Sequence, residues 1–233
     1  MLKAGAGVLG LEFTVEQLEQ FEKFYRLLDE ANKSFNLTAI TGEREAALKH
    51  FLDSLTCQVA VGLNDGMQIV DIGTGAGFPG LPLKIYRPGI ILTLVESLEK
   101  RVKFSRDVVA ALGLKETTVV HARAEDFCRD KEHRERYDLA VSRAVAGLPV
   151  LSEYCLPAVN PGGLFVAMKG PKVEEETSAA KSALVILGGA LEDVISLKLP
   201  LVGDERNLVM VRKVSATPEK YPRRAGMPQK KPL

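Results

Sequence analysis

The segment Met67-Gln68-Ile69-Val70-Asp71-Ile72-Gly73-Thr74-Gly75-Ala76-Gly77-Phe78-Pro79-Gly80 constrains this chain more than any other. A short apolar run with β-branched residues closes on an acid and breaks into a glycine-rich loop. Such a run reads as a strand buried on both faces, as in a parallel sheet. Glycine is needed where the backbone turns at positive φ or meets a ligand with no room for a Cβ. Strand, glycine loop and following helix together make a nucleotide-binding turn.

Strand and helix patterns alternate around this turn. Ile90 to Glu96, Thr117 to His121, Leu139 to Val141 and Leu164 to Met168 read as strands. Pro79 to Tyr86, Leu98 to Leu112, the stretch near Ala124, Leu148 to Ala158 and Val173 to Leu187 read as helices. That alternation predicts a parallel sheet covered on both faces. Two last strands, roughly 190–198 and 207–214, have no helix between them and are expected to pair as an antiparallel hairpin. Ahead of the first strand, Thr14-Val15-Glu16-Gln17 is a capping box. Behind it Leu18, Phe21, Phe24, Tyr25 and Leu28 recur at helical spacing to about Asn32, and a second helical pattern runs from Glu43 to Val61. The expected architecture is an α/β, Rossmann-like fold of the class I S-adenosylmethionine-dependent methyltransferases. Its mostly parallel seven-stranded sheet ends in a C-terminal antiparallel hairpin. Residues 1–64 form an N-terminal helical extension, 65–214 the methyltransferase domain and 215–233 a basic flexible tail.

Gly75-Ala76-Gly77-Phe78-Pro79-Gly80 also fits the dinucleotide pattern G-x-G-x-x-G, so an NAD-dependent oxidoreductase is the alternative. Several features favour S-adenosylmethionine. Asp71 stands where a dinucleotide's pyrophosphate lies and would repel it, but it can engage the amino-acid end of S-adenosylmethionine. Phe78 and Pro79 crowd the helix-start amides that a pyrophosphate wants. The closing hairpin leaves little chain for a second substrate domain. Glu96, 25 positions after Asp71, closes the second strand and can accept the ribose hydroxyls of either cofactor. Asp71, Gly73, Gly75, Gly77, Phe78 and Glu96 are therefore cofactor candidates. Ala124 and Glu125, after the third strand, lie where adenine is read in this fold. Ser142-Arg143-Ala144 ends the fourth strand, beside the transferred methyl. The chain has no Asp/Asn-Pro-Pro-aromatic motif and no Pro-Cys pair, so the acceptor is expected to be already nucleophilic.

Charge is informative by its placement. Arg212 to Leu233 holds seven Lys or Arg against the single acid Glu219, in a chain whose net charge is +1. Such a tail can bind phosphates, releasing counterions as it does so. Interrupted by prolines and charged, it is expected to be mobile without RNA. Cys57, Cys128 and Cys155 lie far apart, as do His50, His121 and His133, so neither disulfides nor a metal site is expected. With no long apolar run and no leader-like start, the chain reads as cytoplasmic.

These segments together resemble the RsmG family, also called GidB: bacterial methyltransferases of guanine nitrogen-7 in 16S ribosomal RNA. The matching segments are Asn36-Leu37-Thr38, His50 to Leu55, Asp71 to Gly80, Ser142-Arg143-Ala144, Met168-Lys169-Gly170, Glu205-Arg206-Asn207 and Tyr221 to Leu233. The resemblance implies cofactor contacts at Gly73, Phe78, Ala124, Glu125 and Arg143. It implies 16S RNA or the small ribosomal subunit as partner. Arg143 or Lys169 is expected to position the guanine through oxygen-6 or a flanking phosphate. Asn36, Lys169 and Arg206, with Arg223, Arg224, Lys230 and Lys231 of the tail, are the RNA-binding candidates. A domain of this size is expected to work as a monomer. A binding-only assembly factor with this fold is the remaining alternative.

Overall fold

The structure is a computed structural model describing residues 1–233. Seven strands form one sheet in the order β3-β2-β1-β4-β5-β7-β6. They are β1 (Gln68–Ile72), β2 (Ile91–Glu96), β3 (Thr117–His121), β4 (Tyr137–Arg143), β5 (Val159–Lys169), β6 (Gly189–Lys198) and β7 (Glu205–Lys213). The first five are mutually parallel, and β7 runs antiparallel to both β5 and β6. The expected hairpin is present, with its second strand inserted between β5 and β6. From β1 the chain moves outward to β3 and then returns to β4 on the other side of β1. The crevice beyond the carboxyl ends of β1, β2 and β4 is therefore the switch point where α/β sheets bind ligands.

Alternate residues of each strand feed opposite cores, as the two-residue period requires. Ile69, Leu92, Leu94, Leu139 and Val166 face one side, where α2 (Val15–Phe35), α4 (Asp53–Val61), α5 (Gly80–Tyr86) and α6 (Glu99–Leu112) pack through Phe24, Leu28, Leu55, Leu81 and Val108. Val70, Ile72, Val95, Ala140 and Phe165 face the other, against α7 (Ala124–Phe127), α8 (Leu148–Cys155) and α9 (Val173–Ile186). The capping box at the start of α2 is formed, and the Gln17 amide also donates to the Tyr86 carbonyl at 2.8 Å, fixing the helix to the end of α5.

The N-terminal helices and the tail differ from what the sequence predicts. A short helix, α1 (Leu2–Val8), precedes α2, burying Leu2 and Ala6. The single helix read from Glu43 to Val61 is α3 (Glu43–Glu45), a π-helical stretch over Ala46–Leu52, and α4. Widening the turn there presents His50, Lys49 O and Asp53 to one arginine, and π segments commonly occupy such places.

The tail, expected to be mobile, is docked on the body. Arg134 donates to the carbonyls of Thr217 (2.6 Å) and Tyr221 (2.8 Å), and Arg129 to that of Pro222 (2.8 Å). Buried Lys213 donates to Leu156 O at 2.6 Å and to Thr217, and burial lowers its pKa to about 8 despite Glu135 nearby. Arg223 meets buried Glu153 of α8 with both its Nε and its terminal nitrogen. A last short helix, α10 (Met227–Lys230), follows. Proline content and charge describe a segment that cannot fold alone. They do not register distant arginines that satisfy its carbonyls.

At the other end of the sheet, β6 is an edge strand. Its pairing with β7 is interrupted by a bulge between Leu191 and Asp193, and Glu192 there pairs with Arg212.

Candidate active site

The crevice has two adjoining lobes that share Gly73, Glu96, Ser97, Arg123 and Val145. One lobe is walled by Ile72, Val95, Ala122, Ala124, Glu125, Ala146, Tyr154 and Gln229. The other is walled by Leu37, Thr38, His50, the loop from Gly73 to Ala76, Phe78, Arg101 and Arg143.

Glu96 ends β2 and organises the loop. Its Oε2 accepts from Gly75 N–H at 3.0 Å, with Arg101 3.6 Å away, and its Oε1 accepts from the backbone of Ser97 and Leu98 at 2.7 and 2.9 Å. Gly75 adopts φ +61°, and nothing lies within 4 Å of where its Cβ would be. The residue is thus required by its backbone angle and leaves open space toward the ligand. A carboxylate facing an open glycine turn, next to a slot with small Ala122 and Ala124, fits a nucleoside with a free ribose diol.

Asp71 is elsewhere than expected. It is fully buried beneath the loop, where Oδ2 accepts from Thr74 Oγ1 (2.7 Å) and Gly80 N–H (2.8 Å), and it lines neither lobe. Burial pushes its pKa up to about 7 against the opposing pull of those two hydrogen bonds and of Arg143. Its role is to close the glycine loop on itself. A Cβ at Gly80 would come within 2.9 Å of Asp71 Oδ2 and 2.5 Å of Leu94, which is why glycine starts α5. Gly77, at φ +92°, faces Leu81 and not the crevice. Phe78 is buried between His50 and Phe24, at centroid distances of 4.3 and 5.3 Å. It joins the glycine loop to the N-terminal helices.

At the end of β4, Arg143 enters the crevice. Its NH1 donates to Lys49 O (3.2 Å) and Asp53 Oδ2 (3.1 Å), its NH2 donates to His50 Nδ1 (3.0 Å), and Cζ lies 5.1 Å from the Phe78 centroid. An arginine only donates, so His50 Nδ1 accepts and Nε2 carries the proton, which goes to Thr38 Oγ1 at 2.8 Å. Asp53 Oδ1 accepts from Arg206 at 3.0 Å, so one carboxylate orients both arginines. Sequence reasoning singled out Arg143 and Arg206 but missed Asp53 and Thr38. The spacing of Asp53 to His50 on a helical segment was the available signal.

The remaining candidates are dispersed. Lys169 is buried, bonded to the Ala146 carbonyl and 2.7 Å from Glu176, which accepts from Leu148 N–H. It braces the loop after β4 and is not on an open RNA-facing surface, because a buried ammonium must be paired. Asn36 is the left-handed C-cap of α2, at φ 46°. Arg206 lies outside the crevice with Asp53, Asp204 and Glu205 O. Glu125 Oε1 accepts from Gly226 N–H at 2.7 Å. Arg223 is engaged with Glu153, while Arg224, Lys230 and Lys231 are exposed. No three His, Cys, Asp or Glu converge with the geometry of a metal site, and no helix is long and apolar enough to cross a membrane.

Burial, and secondarily Arg143, lower the His50 pKa to about 3. A histidine depressed from 6.5 stabilises the fold fully above pH 6.5, and that stability is lost as pH falls towards 3. The slope approaches about 1.4 kcal/mol per pH unit. Asp71 has the opposite sign: its raised pKa means stability present below pH 4 and lost as pH climbs to about 7. The two are separated by difference. Urea midpoints followed from pH 7.5 to 4.5 should fall more steeply for the native chain than for His50→Asn, and equal slopes would remove His50 as a source of acid lability.

Known proteins share this chain's sequence and its fold. Residues 17–209 match the GidB family, described as rRNA small subunit methyltransferase G. The chain is 59% identical over 232 residues to the ribosomal RNA small subunit methyltransferase G of Pelotomaculum thermopropionicum, covering 100% of this chain and 97% of that one. It is 48% identical to the Bacillus subtilis protein of the same name, covering 99% and 96%. Among solved structures, TYW2 of M. jannaschii in complex with AdoMet superposes with a TM-score of 0.57 at 14% identity, over 76% of this chain and 80% of that one. TrmN from Thermus thermophilus does so at 0.54 and 18%, over 69% and 48%. Those two likenesses speak for the fold alone. With a match that spans the sheet, the glycine loop and the Arg143 cluster, the chain belongs to the rRNA small subunit methyltransferase G family.

Proposed function

We propose that this chain methylates nitrogen-7 of a guanine in 16S ribosomal RNA, using S-adenosylmethionine as donor. The observation that carries the proposal is that Glu96 and Arg143 line one lobe together with the glycine loop, in a chain of this family. S-adenosylmethionine supplies an electrophilic methyl on a sulfonium sulfur. Guanine nitrogen-7 has an in-plane lone pair free at neutral pH, so no proton need leave before attack. The residues present suit that chemistry. His50 has both ring nitrogens bonded and Asp71 is sealed under the loop, so neither is set up to remove a proton. What is left for the protein is alignment of nucleophile, methyl carbon and sulfur.

Glu96 holds the ribose hydroxyls, Ala124 and Glu125 the adenine, and the loop from Gly73 to Gly75 the middle of the cofactor. Of the five N–H groups of Arg143, three are bonded inside the protein, leaving Nε and one terminal N–H for the acceptor. These donate to guanine oxygen-6 or a flanking phosphate. A bidentate grip on oxygen-6 and nitrogen-7 together is excluded, because nitrogen-7 must stay bare. Lys169 acts indirectly, through the loop it braces. Arg206, Asn36 and the exposed Arg224, Lys230 and Lys231 meet RNA phosphates. On this reading the chain works in the cytoplasm, as a single copy, on the small subunit or its RNA.

The test supplies methyl-labelled S-adenosylmethionine and small-subunit particles from cells lacking the family's enzyme. Label is expected on one guanine, identified by chemical cleavage at 7-methylguanine, and is not expected on particles already methylated. No transfer to particles or naked RNA, with S-adenosylhomocysteine still bound, would overturn the proposal in favour of a binding-only role.

A further inference from the structure

The lobe that carries Ala124 and Glu125 has one wall from far away in sequence. Gln229, in the short helix α10, lines it together with Tyr154. Two anchors hold that wall in place. Arg223 spends its backbone N–H and its guanidinium on Glu153, whose side chain is 1% exposed, and Gly226 N–H donates to Glu125 Oε1 at 2.7 Å. The carboxylate expected to read the adenine is thereby tied directly to the tail. Tyr154 stands on the same side, its hydroxyl pushed up to about 12 by burial and by Glu125 and Glu153.

We propose that the docked tail is a structural wall of the cofactor pocket and that the Gln229 amide reads the adenine edge from it. This rests on assigning that lobe to the adenine end of S-adenosylmethionine. The chemistry suits the task. A side-chain amide offers N–H donors beside a carbonyl acceptor, and adenine presents an exocyclic N6–H₂ donor beside a ring-nitrogen acceptor. On the N6/N7 edge hypoxanthine offers only acceptors, oxygen-6 and nitrogen-7, so the amide carbonyl is left unmatched whichever way the amide is turned. The basic segment of the chain thus acts on the cofactor, as a determinant of base specificity, in addition to any contact with RNA.

Calorimetry with S-adenosylhomocysteine and its deaminated analogue S-inosylhomocysteine tests this. Gln229→Ala is expected to bind S-adenosylhomocysteine about tenfold more weakly and to lose most of the preference over the inosine analogue. Removing Met227–Leu233 keeps both anchors and should have at least as large an effect. Glu219→Ala, at an exposed position of the same tail, should leave both affinities unchanged. Unchanged affinity and preference in both Gln229→Ala and the truncation would overturn the wall. An effect of the truncation without one of Gln229→Ala would overturn the role of Gln229. If the full chain itself shows no affinity for S-adenosylhomocysteine, the adenine assignment is what has failed, and that outcome is distinct from the other two.

Discussion

Replacing Arg143 with alanine is expected to lower the rate of methyl transfer by about 10²–10³-fold, the usual effect of removing one preorganised donor from a reacting centre. The guanidinium, held by Asp53 and His50, lines the crevice with N–H groups not bonded inside the protein. The same change leaves the buried His50 Nδ1 without a donor, at a cost of about 1–3 kcal/mol. Asp53 keeps Arg206, so the larger loss of an uncompensated buried charge is avoided. Arg143→Lys restores charge but cannot span Lys49 O, Asp53 and His50 at once, so it should recover stability more than rate. Single-turnover kinetics, calorimetry with S-adenosylhomocysteine and melting temperature separate these effects. A normal single-turnover rate in the alanine variant would remove Arg143 from the mechanism.

Glu96→Ala should act on the other half of the site. Three backbone N–H groups, of Gly75, Ser97 and Leu98, lose their acceptor together. The glycine loop is then free to leave the conformation that receives the cofactor, and the ribose hydroxyls lose their partner. At about 1 kcal/mol for each bond lost, affinity for S-adenosylhomocysteine should fall by about 10²–10³-fold. Glu96→Gln keeps one acceptor oxygen but sets an amide N–H₂ against N–H donors, so a smaller loss of about tenfold is expected. Binding measured by calorimetry at one pH is sufficient. Native affinity in Glu96→Ala would show that the carboxylate serves only the fold.

The parts of this molecule that sequence made visible are those written in a local period. β1 and its glycine loop, the alternation through α9 and the capping box at Thr14 all follow from neighbours in the chain. What stayed hidden depends on groups far apart. The acid at the end of β1 sits at a cofactor position by analogy, yet the Thr74 hydroxyl and Gly80 amide turn it inward, away from the ligand. Lys169 ends a strand as a surface lysine would, but Glu176 and the Ala146 carbonyl draw it into the protein. The π-helical stretch at Ala46–Leu52 keeps an apolar pattern close enough to 3.6 residues to pass for α-helix. Asp53 becomes meaningful only when β4 and β7 bring Arg143 and Arg206 to it, from 90 and 153 positions away.

The bulge in β6 bears on how this protein behaves at high concentration. Because β7 is placed between β5 and β6, the long outer strand of the sheet is one whose unpaired backbone groups face water. A straight apolar edge of that kind is a template for strands of other molecules and a start for aggregation. Here the register slips between Leu191 and Asp193, so the edge is kinked, and it carries carboxylates at Glu192 and Asp193. An incoming strand meets interrupted backbone geometry and negative charge at the same place. The topology that completes the sheet thus leaves it with a rim unsuited to recruiting further chains.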